Sequence, residues 1–122
     1  MAHVPLIQVD LARDTFDKHH EAIGNAIHDA QIAALGIPAD DRFQIFAPRD
    51  RGELKFDRGY NGVDRRNLLV IRVVAVHMYP VATKRQFFRA VVERLEPLGI
   101  RPEDVLISLT ENGFEDWYAG KI

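Results

Sequence analysis

The chain of 122 residues contains no cysteine. Disulfides, thiol catalysis and zinc–thiolate sites are therefore excluded. It has no run of 18 apolar residues and no basic-then-apolar leader, so neither a membrane span nor a signal peptide is expected. It also lacks a strong charge of either sign: 16 Lys and Arg stand against 18 Asp and Glu, for a formal net charge of −2. That balance gives no reason to expect nucleic acid or an anionic membrane surface as a partner. Phosphate-binding glycine loops, nucleophile elbows and metal-ligand clusters are missing as well. His19 and His20 are adjacent, cannot share a helix face and make no metal pair. No metal or cofactor is expected. What is present is ordinary: 47% apolar and 28% charged residues. This composition fits one globular domain with a sizeable core, with the cytoplasm as the default compartment.

The stretch Val4 to Asp10 alternates with period two. Leu6, Gln8 and Asp10 fall on one side, and Pro5, Ile7 and Val9 on the other. Proline lacks an N–H, so Pro5 suits the first residue of a strand. Leu11 to Asp14 then reads as the exit to a helix that Asp14 or Thr15 can cap. Phe16, His20, Ile23, Ile27, Ala30 and Ala34 recur at helical spacing as its apolar face. Gly36 suits the left-handed residue past the helix end, and Pro38 cannot continue it. Phe43 to Phe46 alternates and reads as a strand that Pro48 ends.

Residues 49–66 are polar and punctuated by glycine, with a strong turn signal at Asn61-Gly62 and a short edge strand expected at Leu54 and Phe56. Leu68 to Val76 is nearly continuous apolar sequence, the pattern of a central strand covered on both faces. Thr83 and Gln86 form a potential capping box for a second helix. Its face carries Phe87, Val91 and Leu95 with Phe88 and Val92, and Pro97 and Gly99 close it. Val105 to Leu109 is the last strand, followed by a tail with Trp117 and Tyr118.

The two halves resemble each other. Leu35-Gly36-Ile37-Pro38-Ala39-Asp40-Asp41 and Leu98-Gly99-Ile100-Arg101-Pro102-Glu103-Asp104 each precede a strand. Half-repeats at about 4–48 and 67–110, a connecting loop at 49–66 and a tail at 111–122 make a single domain. Each β-α-β half pairs its strands in parallel. Two halves side by side give an α+β two-layer sandwich, a four-stranded sheet with two helices on one face. The other face is left apolar and requires a cover, so an oligomer is expected.

A duplicated β-α-β chain with Pro5-Leu6-Ile7 near its start resembles the tautomerase superfamily, and within it the malonate semialdehyde decarboxylase-like branch. The likeness is carried by that tripeptide, by Gly36 to Ile45, and by Val105 to Gly120 with Glu111-Asn112 and Asp116-Trp117-Tyr118-Ala119-Gly120. The resemblance implies a homotrimer and a small site at the tip of the first strand, taking a small oxo-acid substrate. It implies an amino-terminal proline as catalytic base, which would be Pro5. Asp41 matches the acidic residue that helps activate water in the decarboxylase branch, and Trp117 matches an aromatic wall. The family's carboxylate-holding arginines follow the central strand, where this chain has Val76-His77-Met78-Tyr79-Pro80. His77 and Tyr79 are the candidate substitutes, and Arg72, within the strand itself, is a further candidate for substrate binding beside Trp117.

The chemistry sets a condition. A secondary amine at a chain terminus is a titratable base whose pKa falls when apolar walls and nearby cations disfavour its charge. A proline with a residue bonded ahead of it is a tertiary amide and carries no basic lone pair. Met1-Ala2-His3-Val4 precede Pro5, so the role requires that Pro5 become the first residue, for example through an alternative start at Val4. Under that condition the expected activity is keto–enol interconversion of a 2-oxo acid such as phenylpyruvate. The alternatives are decarboxylation or hydration of a 3-oxo acid such as malonate semialdehyde, or a non-catalytic binding protein on the same fold. Each residue also has a plain reading: Pro5 as a strand start, Asp41 as a turn residue, His77 as a structural histidine, Trp117 as packing.

Overall fold

Period-two alternation sorts the first strand by face, and the three-dimensional structure follows it. The computed structural model describes residues 5–76 and 78–122. Strand β1 runs Leu6–Ala12, with Ile7, Val9 and Leu11 fully buried on one side. It extends two residues past Asp10, because Leu11 is a core side chain and Ala12 still pairs with Arg49 of the neighbouring strand.

Helix α1, Arg13–Leu35, begins at once. Neither Asp14 nor Thr15 caps it: Ala12 takes the cap position with no side-chain bond. The Thr15 hydroxyl accepts from the Asn67 side-chain amide instead, at 3.1 Å. Ile23, Ala26, Ile27 and Ala30 face the core, while Asp17, Glu21, Asn25 and Asp29 face solvent. Gly36 ends the helix as expected, at φ 69°, with its N–H donating to the Ile32 carbonyl. A Cβ in the left-handed region crowds the following carbonyl. Gly36→Ala is therefore expected to destabilise the chain by about 1–2 kcal/mol in urea titration, although nothing else stands near that Cβ.

Strand β2 is Phe43–Arg49 and contains Pro48, which does not end it. β2 is an edge strand of this sheet, so the missing N–H need not cost a ladder bond. Leu54 and Phe56 form no strand. They lie in irregular backbone between two turns and, with Ala12, Arg13 and Arg66, line a cavity of about 460 Å³. Strand β3 is Leu69–Ala75, helix α2 is Val81–Leu95 and strand β4 is Val105–Glu111. The Thr83–Gln86 capping box does not form. Helix α2 starts two residues before Thr83, with Pro80 at the cap position and no side-chain bond. Phe87, Val91 and Leu95 are fully buried against the sheet, and Gly99 at φ 84° closes the short 3-10 turn that follows.

The sheet order is β2-β1-β3-β4. Each half pairs its own strands in parallel, and β1 meets β3 antiparallel. Both helices cover one face, giving the two-layer α+β sandwich. The central strand β3 is thus covered on one face only within the chain: Leu69, Ile71, Val73 and Ala75 are buried, while Arg72 is exposed and Val70 and Val74 are half-buried. Leu6, Phe43, Ile45, Val70, Val74 and Leu106 share that open face. No helix of the described residues is long and apolar enough to cross a membrane.

A cluster of charged groups sits on the open face. Asp10 is buried, and its carboxylate accepts from Arg49 at 2.9 and 3.1 Å and from Arg72 at 3.1 Å. A desolvated carboxylate is tolerated where several charge-assisted donors surround it. Arg49 and Arg72 come from the strands on either side, so the cluster ties β2, β1 and β3 together.

Candidate active site

The internal repeat explains how the turn before each second strand addresses the start of a first strand. The Asp104 N–H donates to the Arg101 carbonyl, and the Asp41 N–H to the Pro38 carbonyl, in the same turn of each half. The Asp104 carboxylate is buried and accepts from the backbone N–H groups of Arg66 and Asn67, at 2.8 and 3.2 Å, just ahead of β3. In the repeat, Asp41 corresponds to Asp104 and Pro5 to Leu68. Asp41 thus belongs to the end of the sheet where β1 begins, with its carboxylate charge within reach of the Tyr79 ring.

Pro5 is buried. It lies one residue ahead of the Leu6–Val74 pair, beside Ala75, whose other neighbour in the sheet is Glu111. Ala75 and Glu111 continue the alternation of Val73 and Leu109, so this row faces the helices. Glu111 is the charged member. Its side chain is 7% exposed, Oε1 accepts from the Lys84 ammonium at 2.6 Å, and Oε2 accepts from the Tyr79 backbone N–H at 2.7 Å. Burial works against its charge, but the Lys84 hydrogen bond, the Tyr79 N–H and the Lys84 charge outweigh burial and hold the carboxyl below its ordinary range.

A carboxyl whose folded pKa is depressed stabilises the fold above its unfolded pKa of about 4.3 and loses that contribution as pH falls through the folded value. The difference in Tm between the wild-type chain and Glu111→Gln is therefore expected to be largest near neutrality and to shrink below about pH 4, followed by circular dichroism.

Tyr79 stands between two acids. Burial, then the charge of Glu111, then that of Asp41, raises its phenol above the ordinary value. A phenol is a neutral donor at physiological pH, and this shift moves it further from ionisation. On the far side of Glu111, the Asn112 N–H donates to the Ala75 carbonyl at 3.0 Å, and the Asn112 side-chain oxygen accepts from the Trp117 indole at 2.5 Å. The tail is thereby folded back toward the same end of the sheet.

The structure thus gathers Pro5, Asp41, Tyr79 and Trp117 at one end of the sheet. Arg72 is elsewhere. It points from the open face, in the row of Gln8 and Ser108, and is ion-paired with Asp10. His77 lies outside the described residues. Lys84 and Glu111 were not singled out as site residues from sequence. The available signal was the alternation Ile107, Leu109, Glu111, which places a carboxylate on the covered face and so demands a partner. The cavity of about 460 Å³ and another of about 250 Å³ lie at the opposite end of β1, around Leu11 and Ala12, and contain none of these residues. Among the described residues no group of three or more His, Asp or Glu is arranged to hold a metal.

A protein-family model described as "Tautomerase enzyme" matches residues 41–120, about two thirds of the chain. The chain belongs to the tautomerase family. The probable tautomerase YusQ of Bacillus subtilis (strain 168) is 29% identical to it, over 96% of this chain and 94% of that one. Among solved structures, the FG41 malonate semialdehyde decarboxylase inhibited by 3-bromopropiolate superposes with a TM-score of 0.88 at 36% identity, covering 94% of this chain and 88% of that one. A second malonate semialdehyde decarboxylase structure gives 0.86 at 29% identity, covering 95% and 91%. These relations place this tautomerase-family chain in the malonate semialdehyde decarboxylase-like branch.

Proposed function

We propose that this chain interconverts the keto and enol forms of a small 2-oxo acid of the phenylpyruvate type, with the Pro5 nitrogen as base once Pro5 is the first residue. The observation that carries this reading is the position of Pro5. It is buried at the start of β1, beside Ala75, at the end of the sheet where Asp41 and Tyr79 also lie. A neutral secondary amine there takes a proton from the substrate and returns it to another atom of the same molecule, passing it between carbon and the enol oxygen. The Tyr79 hydroxyl, a phenol and so a neutral donor near pH 7, donates to the substrate oxygen on which charge develops.

A second reading has its own support. Two structural relatives are malonate semialdehyde decarboxylases, at 36% and 29% identity, and the sequence resemblance assigns Asp41 to the acidic position of that branch. A nearby carboxylate favours the protonated form of an amine. A charged Pro5 would stabilise the electrons released as carbon dioxide leaves a 3-oxo acid, with Asp41 orienting water for the hydratase variant. With Val4 still attached, neither chemistry is available to Pro5, and the fold would serve binding alone. Assaying chains with and without residues 1–4 on phenylpyruvate and on malonate semialdehyde decides among the three. Turnover of phenylpyruvate confined to the Pro5-terminal chain supports the first reading. Decarboxylation confined to that chain selects the second, and inertness of both chains toward both substrates leaves binding.

The same proposal includes a homotrimer whose open sheet faces are turned toward one another. Phe43, Ile45 and Leu106 are 53%, 49% and 43% exposed on that face in a single chain, an arrangement that a second copy buries. Fused trimers of a related tautomerase share the fold at 17% identity or less. Sedimentation equilibrium at micromolar concentration is expected to give three times the chain mass of 13.9 kDa. A monomer under those conditions refutes the assembly.

A further inference from the structure

Accepting the Pro5 site proposed above, one feature at its edge has no role in the proton transfer: the Glu111–Lys84 pair. Its members come from the end of β4 and the first turn of α2. Surface ion pairs contribute little, but this carboxylate is more than nine-tenths buried and both its oxygens are occupied. Only one of its two partners is a charge. The other is the backbone N–H of Tyr79, in the short connection between β3 and α2. Helix α2 offers that connection no side-chain cap, because Pro80 holds the cap position. The Glu111 bond holds it at Tyr79, and the Lys84 N–H donating to the Pro80 carbonyl at 3.1 Å holds it at Pro80.

We propose that Glu111 and Lys84 are positioning residues: Lys84 holds the Glu111 carboxylate in place, and that carboxylate fixes the Tyr79 backbone so that the phenol is presented at the Pro5 end of the sheet. Neither residue touches substrate. The raised phenol pKa agrees: burial is its main cause, and the charges of Glu111 and then Asp41 add to it. In this arrangement the ion pair and the Tyr79 bond are separable. Exchanging the charges, with Lys84→Glu and Glu111→Lys together, keeps an ion pair but leaves an ammonium where the Tyr79 N–H needs an acceptor.

The test has two parts. Amide hydrogen exchange on the 122-residue chain, read by NMR, is expected to show a protected Tyr79 N–H in the wild-type chain. In the charge exchange, which leaves no acceptor at residue 111, its exchange rises at least about 10-fold, while Asn112 N–H, bonded to Ala75, stays protected. The second part measures KM for phenylpyruvate in the form of the chain that turns it over. Glu111→Gln is expected to raise KM about 10-fold, the charge exchange to recover Tm but not KM, and Lys84→Arg to keep both. In a Tyr79→Phe background, Glu111→Gln is expected to have little further effect on KM, since residues acting through one another are not additive. A Tyr79 amide unprotected in the wild-type chain, or equally protected in the charge exchange, overturns the proposal whatever the activity. Full additivity with Tyr79→Phe overturns it also. Absence of phenylpyruvate turnover in every form of the chain counts against the function proposed above, and the exchange measurement then decides the positioning on its own.

Discussion

A chain that begins at Pro5 is expected to ketonise phenylpyruvate about 10²–10⁴-fold faster than the same chain with Val4 still bonded ahead of the proline, the usual contribution of a positioned acid–base group. The reason is covalent. Acylation converts a basic amine into an amide whose lone pair is delocalised into the carbonyl, whatever the pocket around it. The comparison holds the rest of the site constant, since Asp41, Tyr79, Glu111 and Trp117 are present in both chains. It is read from the decay of enol absorbance, with intact mass confirming the first residue of each preparation. Equal rates in the two chains would remove Pro5 from the mechanism and transfer the search to another base at the same end of the sheet. Pro5→Ala in the shortened chain is a useful control. It keeps a terminal amine, so its residual rate separates a generic amine effect from the secondary amine held rigid at the start of β1.

The largest expected effect on stability is at Phe87. It is the bulkiest of the fully buried side chains and sits on α2 among Val91, Leu95 and the strands beneath. Phe87→Ala is expected to cost about 3–5 kcal/mol, the sum of lost transfer free energy and the cavity left behind. The midpoint of urea unfolding measures it. The loss should be independent of protein concentration, because the helix–sheet layer is internal to one chain. Phe43→Ala provides the contrast. Phe43 is half-exposed on the open face, so its deletion matters only where another copy covers it, and its effect should appear as a concentration-dependent midpoint. If Phe43→Ala shifts the midpoint equally at all concentrations, the open face is not an association surface.

The local elements were available from the residues because their causes are local. Alternation from Leu6 to Asp10 and the helical recurrence of Ile23, Ile27 and Ala30 state which way each side chain must face, and Gly36 and Gly99 end their elements because a positive φ suits them. The repeated Leu-Gly-Ile turn implied two β-α-β halves with parallel pairs, and the fold has them. Element ends were harder. Pro48 reads as a stop, yet it stays in β2, because its strand is at an edge and its missing N–H has no ladder to break. Asp14, Thr15 and Thr83 are good capping residues by type. The helices instead start at Arg13 and Val81, ahead of all three, since burial of Leu11 and Phe87 sets where strand and helix must lie.

The sequence by itself determined the four main strands and two helices, the two halves, the alternation of β1 and the set of residues worth testing as a site; that β3 is covered on one face only was decided by the fold. The tertiary structure decided which of those residues meet: it gathered Pro5, Asp41, Tyr79 and Trp117 at one end of the sheet, and moved Arg72 to the opposite face as a partner of Asp10. It also brought in Lys84 and Glu111: the alternation of β4 places the carboxylate on the covered face, but no spacing names Lys84 as its partner. The physical reason is that periodicity and caps act over a few residues along the chain. A buried charge chooses its partner by proximity in space, after strands far apart in sequence have been paired.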